Sequence, residues 1–442
     1  MRTLLTLLLA AGAYAAPPSK IFPYGYDLYD LPNGLRLLTI PTDFPNIVSL
    51  YTVVSVGSRH EVEPGKSGFA HFFEHCMFRG TKRFPPQKWE AVMKAAGAAT
   101  NAYTSDDLTV YHATFDKSGL ESILDLEADR FQNLEYSESA FRTEALAVNG
   151  EYNKNSSEPA QQLIEKLRAT AFDRHTYRHT TMGFLADIKD MPNQFAYSKQ
   201  FFDRFYRPEN VTLVLAGDLD PKQVRTMVEK YWGPWKKGAV APQIPVEPPQ
   251  TAERKAHVPW PTPTLPWMMI GYKVPAFAEN MRDSAALDLI ASLALGRNSP
   301  LYKKLLLEDQ TNDVLQGGYE NHADPFLFLV YARLKKETDL PAVQDAIIST
   351  LNGFKDNLVD AQRLEAVKSN LRYSFALGLD NSEAIAANLA GFIALTRTPE
   401  TLNQVYDLYA SLTPEDLRAV ARKYFVASGR TIVTLTHQKE AK

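Results

Sequence analysis

Between Trp232 and Pro266 the chain runs WGPWKKGAVAPQIPVEPPQ and, a few residues on, VPWPTPTLP. Proline at this density cannot continue inside a helix or a central strand, so the run divides the 442 residues into two stretches. Length asks for the same division, because single hydrophobic cores seldom grow past about 250 residues. The second stretch repeats the pattern of the first. FFDRFYRPENVTLVLAGD (201–218) closes the first stretch as helix, loop and β-branched strand, and VARKYFVASGRTIVTLT (420–436) closes the second in the same way. A matching overlay sets SAALDLIASLALG (284–296) on SGFAHFFEHCMFRG (67–80), placing Leu287, Ile290 and Ala291 against His71, Glu74 and His75.

Within the first stretch, YDLYDLPNGLRLLTIP alternates about Asn33-Gly34, a pair that tolerates positive φ and signals a hairpin. NIVSLYTVVSVGS continues as a strand, and AATNAYTSDDLTVYHATF carries two strand-like runs around Ser105-Asp106-Asp107. KSGLESILDLEADRFQNL and SESAFRTEALAVNGEYNKN repeat apolar residues at helical spacing. Strands and helices alternate irregularly, which predicts α+β domains rather than a doubly wound parallel sheet. The expected division is a leader over residues 1–15, a first domain over 16–235, a proline-rich linker over 236–262 and a second domain over 263–442.

Arg2, the apolar run from Leu4 to Ala13 and the small-residue site Ala13-Tyr14-Ala15 have the pattern of a secretory signal peptide. The expectation is an exported protein, periplasmic in a Gram-negative bacterium, with an uncleaved anchor as the alternative. The apolar run is shorter than the ~20 residues needed to span a bilayer, so no stable membrane insertion is expected. A net charge of −3 and the lack of a basic run argue against nucleic acid as a partner. Cys76 is the only cysteine, so no disulfide can form within the chain.

The stretch SGFAHFFEHCMFRG is apolar almost all round, yet holds His71, Glu74 and His75. Residues three and four apart share a helix face, so two imidazoles can aim at one point with a carboxylate beside them. Burying the three without partners would cost several kcal/mol, on the order of the penalty for unpaired polar groups. Two imidazoles at this spacing form half of a tetrahedral zinc site, and H-x-x-E-H is the inverzincin pattern. A pair of core histidines bonded to backbone or carboxylates is the structural alternative. A hydrolytic site also wants a third protein ligand and an open position for water. Glu144 and Glu151 stand two turns apart beside the apolar stripe of one helix, with Gly150 between them suggesting a close approach. A solvated acidic face with an incidental glycine accounts for them equally well.

His175 and His179 in DRHTYRHTT share the i, i+4 spacing, but Arg174 and Arg178 flank them and no apolar period surrounds them, which predicts a cationic loop. Cys76 directly follows His75 and so points about 100° away around a helix. It reads as a small core residue.

HFFEHCMFRGT with VNGEYNKN downstream resembles the pitrilysin/insulinase-type zinc peptidases, a family that includes mitochondrial processing peptidase. NAYTSDDLTVYH and FYRPENVTLVLAGD extend the resemblance over essentially the whole chain after the leader. It implies two homologous α+β domains, each a mostly antiparallel sheet packed with helices, in the LuxS/processing-peptidase-like metallohydrolase fold. Two such halves, or four across a dimer, would enclose a chamber admitting short or unfolded polypeptides. By the resemblance His71, His75 and Glu151 are ligands of one Zn2+ per chain, Glu74 is the general base and Glu144 an outer carboxylate. Ala99, Thr100, Asn101, Ala102 and Tyr103 correspond to the edge strand to which peptide substrate adds.

The chain departs from the pattern in one place. The family's second domain supplies an Arg and, seven residues later, a Tyr that steady the substrate; here Leu306 and Asp313 occupy those positions. Tyr319 and Arg297 are out of register as substitutes. The resemblance therefore implies a homologous partner chain supplying the pair, as heterodimer, with a homodimer as the other arrangement. Competing readings are a non-catalytic structural or assembly subunit, which would normally lose the H-x-x-E-H motif, and an exported zinc-binding protein without activity.

Overall fold

The computed structural model describes residues 20–238, 241–278 and 280–438, and the expected leader lies outside them. Eleven strands are present among these residues: β1 Asp27–Asp30, β2 Arg36–Pro41, β3 Ile47–Val54, β4 Ala99–Thr104, β5 Thr109–Asp116, β6 Val211–Gly217, β7 Arg254–Trp260, β8 Trp267–Val274, β9 Asn312–Gly318, β10 Phe326–Leu334 and β11 Arg430–His437. They form two sheets, ordered β1-β2-β6-β3-β5-β4 and β7-β11-β8-β10-β9. Apart from the extra β1, the second order repeats the first. β2 runs parallel to β6 as β7 runs parallel to β11, and every other neighbouring pair is antiparallel. The fold is α+β with two mixed, mainly antiparallel sheets.

The proline-rich divide is not linker throughout. Arg254–Trp260, inside the expected 236–262 linker, is strand β7 at the edge of the second sheet. An edge strand has one side without a neighbour, so Pro259 is tolerated there.

The two halves are interleaved. On one face of the first sheet, Leu38, Ile40, Tyr51, Val53, Val110, Val214 and Ala216 pack against Ile385, Leu389 and Ile393 from the Ser382–Thr396 helix of the second half. In return, Leu163, Leu167 and Ala171 from the Pro159–Ala171 helix pack on Met269, Leu327, Val433 and Leu435 of the second sheet. Both faces of each sheet are thereby covered, which is why β6, VTLVLAG, is buried at every position. Ile385, Leu389 and Ile393 are 0% exposed, and their burial is worth roughly 5–9 kcal/mol before ordering entropy is set against it. This chain's halves are thus not bodies free to swing about a flexible linker.

A buried ionic junction adds to that contact. Asp106, in the β4–β5 turn, is forked by Arg168 at 2.7 and 2.8 Å, accepts from Ser58 at 2.8 Å and faces His322 Nε2 of the second half at 3.2 Å. Asp324 of the second half accepts from Arg59 at 2.5 Å and lies 2.9 Å from His175 Nε2. The expected loop is present and its Arg174 and Arg178 are exposed, but His175 and His179 are only 3% and 4% exposed, buried at the junction. Tertiary partners, invisible locally, bury the two rings.

Candidate metal centre

The Phe69–Cys76 helix is placed by its own apolar face. Phe73 lies parallel to Phe201 at 5.5 Å between ring centroids, with Phe72 against Phe141 at 5.0 Å and Phe69 against Tyr197 at 4.8 Å. Its start is set by Gly68, whose φ of 90° favours glycine and where a Cβ would lie 2.3 Å from Ile188 Cδ1. Glu61 accepts from the Gly68 and Ala70 amides at 2.7 Å each, satisfying two donors of the first turn. Burial pushes the Glu61 carboxyl up to about 8 against those two hydrogen bonds. Further along, the Phe73 carbonyl accepts from the Tyr111 hydroxyl of β5 at 2.9 Å.

This scaffold holds His71 and His75 with ring centroids 4.8 Å apart. The Glu138–Ser156 helix crosses beside them with its own two carboxylates. Glu151 Oε2 lies 3.6 Å from His71 Nε2 and 3.4 Å from His75 Nε2. Glu144 Oε1 lies 3.2 Å from His75 Nδ1, the ring's other nitrogen. Glu74 completes the group, with potential ligand atoms of His71, Glu74 and His75 all within 4.8 Å of one another. The structure thus gathers His71, Glu74, His75, Glu144 and Glu151 in one place.

Electrostatics distinguish the two rings. Burial pulls the His71 pKa down, favouring the neutral ring. The hydrogen bond with Glu144 raises that of His75 in spite of burial. Burial opposes the charge of Glu144 too, but His75 and Arg79 outweigh it and hold the carboxyl below its ordinary range. The Nε2 atoms of both rings face the same Glu151 oxygen at 3.6 and 3.4 Å, longer than ordinary hydrogen bonds, which leaves room for an ion among the three atoms. The donor set, two imidazole nitrogens and one carboxylate, suits zinc. The residues present therefore fit a metal ion.

Beside the helix, β4 is the outer strand of its sheet and, among the described residues, pairs with β5 alone. Ala99, Thr100, Asn101 and Tyr103 are exposed and Ala102 is buried, so one side of this strand's backbone is open to an added strand. Cys76 is buried, as its position around the helix predicts. Gly150 differs from expectation: nothing lies within 4 Å of where its Cβ would be, so no close approach explains it.

The second half holds the counterpart of this cleft, about 410 Å³ between the Met281–Leu295 helix and β9. The helix residues lining it are Asp288, Ala291, Ser292 and Leu295. Leu287 and Ile290 are buried in the core at 0% exposure. Of the three overlaid positions only Ala291 lines the cleft, beside Asp288 and Ser292. Tyr409 donates to Asp288. Leu306 and Asp313 line the same cleft, with Arg297, Tyr302 and Tyr319, and Asp313 is held by Arg333 at 2.8 Å.

Two contributors escape a reading of the sequence. Glu61 offers no local signal, because its role depends on the helix that folds back onto it. Arg79 contacts Glu144 through Nε at 2.5 Å and also through Nη2, and its place four residues after His75 is a usable clue.

Residues 37–184 match the family described as Insulinase (Peptidase family M16), and residues 196–371 match Peptidase M16 inactive domain. The chain is 28% identical over 412 residues to the zinc protease PqqE of Helicobacter pylori, covering 92% of this chain and 91% of that one. It is 24% identical over 404 residues to a probable mitochondrial-processing peptidase subunit beta of Schizosaccharomyces pombe, covering 88% and 87%. Among solved structures, a protease from Helicobacter pylori superposes with a TM-score of 0.88 at 27% identity, covering 93% of this chain and 99% of that one. The periplasmic protease PqqL from Escherichia coli shares the fold, with a TM-score of 0.75 at 19% identity over 96% of this chain and 48% of that one.

Proposed function

From membership of the insulinase peptidase family, to which this chain belongs, we propose that it is a zinc-dependent endopeptidase with one metal ion held by His71, His75 and Glu151. The observation that carries this reading is that Glu151 Oε2 stands 3.6 Å from His71 Nε2 and 3.4 Å from His75 Nε2, with Glu74 beside the two rings. When bound, zinc supplies a lowered pKa for water and polarisation of the scissile carbonyl. Glu74 accepts the water's proton and returns a proton to the leaving amine. Glu144 holds His75 by Nδ1, leaving Nε2 for the metal. An extended substrate adds to β4 along Ala99–Tyr103 through main-chain hydrogen bonds, which tolerates varied side chains and requires a short or unfolded polypeptide.

The chain acts in the periplasm, consistent with its leader and with the periplasmic protease among its structural neighbours. A homologous partner chain supplies the Arg and Tyr that Leu306 and Asp313 replace; one relative, the processing peptidase beta chain, is itself named a subunit. A purified chain cleaving at full rate, with no gain from any such partner, would remove that element.

The test is cleavage of quenched-fluorescent peptides by the full chain, with and without chelator, and by Glu74→Gln. Cleavage abolished by chelator and restored by zinc, with Glu74→Gln retaining zinc but losing cleavage, supports the peptidase. Unchanged cleavage by Glu74→Gln refutes the mechanism. Zinc bound without cleavage of any peptide, with or without a partner chain, favours the non-catalytic subunit.

A further inference from the structure

Resting on the metal-site reading above, we infer that Arg79 is a positioning residue for the metal centre, the outer member of a relay Arg79–Glu144–His75 that fixes which nitrogen of His75 faces the site.

The geometry is specific. Arg79 follows the histidine helix in the short turn Met77–Arg79, four residues after His75, so its side chain returns along the same face. Two guanidinium nitrogens, Nε at 2.5 Å and Nη2, both engage Glu144 Oε2. The other oxygen, Oε1, is left for His75 Nδ1 at 3.2 Å. The two oxygens of one carboxylate are thus divided between one cation and one ligand ring. The Glu144 side chain is 7% exposed, so without Arg79 it would carry a buried charge with one partner and be free to rotate away. The chain leaves the turn at Gly80, whose φ is 83° and where a Cβ would lie 2.6 Å from the Phe84 carbonyl oxygen. That exit fixes where Arg79 begins and thereby where its fork arrives.

A guanidinium is suited to this because its donors form a rigid planar fork, whereas an ammonium would hold Glu144 as a point charge without setting its plane. Arg79 contacts Glu144 rather than any of the three proposed ligands. It acts through Glu144 alone, and removing it leaves all three proposed ligands in place.

The test measures zinc affinity of the full chain by competition with a chromophoric chelator, alongside urea midpoints. Arg79→Met should weaken zinc binding by about 10–100-fold, the usual cost of losing an outer-shell partner. Arg79→Lys should recover part of that loss. On a Glu144→Gln background, Arg79→Met should change affinity by less than about 2-fold, since the relay is already broken. Urea midpoints close to wild type would separate this from a folding defect. Wild-type affinity in Arg79→Met, or an equal loss on both backgrounds, overturns the relay. If the wild-type chain binds no zinc, the metal-site reading itself fails, a result distinct from failure of the relay.

Discussion

Replacing His322 with leucine should destabilise the protein more at pH 5.5 than at pH 9. His322 Nε2 faces the Asp106 carboxylate at 3.2 Å and Nδ1 faces the Glu320 carbonyl oxygen at 3.1 Å. Both partners only accept, so both ring nitrogens must donate and the ring is cationic. Burial opposes that charge, but the hydrogen bond and charge of Asp106 outweigh it and raise the pKa. A histidine whose folded pKa is raised contributes stability fully present below its unfolded value, ordinarily about 6.5, and lost as pH rises through the folded value. A buried hydrogen bond between charged groups is worth about 1.5–3 kcal/mol and a neutral one about 0.5–1.5 kcal/mol. Contact with Phe326, 3.9 Å away and nearly parallel, adds about 0.5–1.5 kcal/mol at any pH. Asp106 keeps Arg168 and Ser58, so the variant leaves no orphaned carboxylate. The expected deficit is about 2–4 kcal/mol at pH 5.5, narrowing by about 1–1.5 kcal/mol toward pH 9. The assay is the urea midpoint of both proteins across that range at constant m. Burial lowers the pKa of His60 to about 3 and also lowers that of His179, giving the opposite slope in both proteins, so it cancels in the difference. A gap that is constant or widens with pH would refute the cationic pairing.

Glu151→Gln should lose zinc as measured by metal analysis after dialysis, because it removes the only carboxylate within 3.6 Å of both Nε2 atoms among the described residues. Adding zinc to the metal-free chain at about 1,000 times its dissociation constant should stabilise it by about 4 kcal/mol, seen as a higher thermal midpoint that His71→Ala does not show. Phe73→Ala should cost about 3–5 kcal/mol in urea unfolding, since the side chain is 0% exposed against Phe201 and Tyr206. Gly57→Ala should destabilise by more than about 1 kcal/mol through overpacking, because a Cβ there would lie 2.3 Å from the Ser105 carbonyl oxygen and 2.4 Å from that of Asp106. Since φ at Gly57 is −152°, the cost is steric rather than conformational, and an unchanged midpoint would sink the argument.

Local pattern determined much of this protein. Alternation and β-branching marked β3, β4, β5 and β6, and the duplicated closing segments pointed to a repeated half, while the strand order the two sheets share is visible only in the structure. The i, i+3, i+4 spacing of His71, Glu74 and His75 alone put three polar groups on one helix face, and the seven-residue interval put Glu144 and Glu151 on another. Such signals are legible because helix and strand periods tie sequence distance to direction in space. Tertiary structure decided what depends on contacts between distant residues. It turned Arg254–Trp260 from linker into an edge strand by supplying β11 as a neighbour, and it packed each half's helix on the other half's sheet. It buried His175 and His322 by bringing carboxylates to them, and it brought Arg79 onto Glu144. A charged side chain is buried only where a partner from elsewhere in the chain meets it, and no local period encodes where that partner will be.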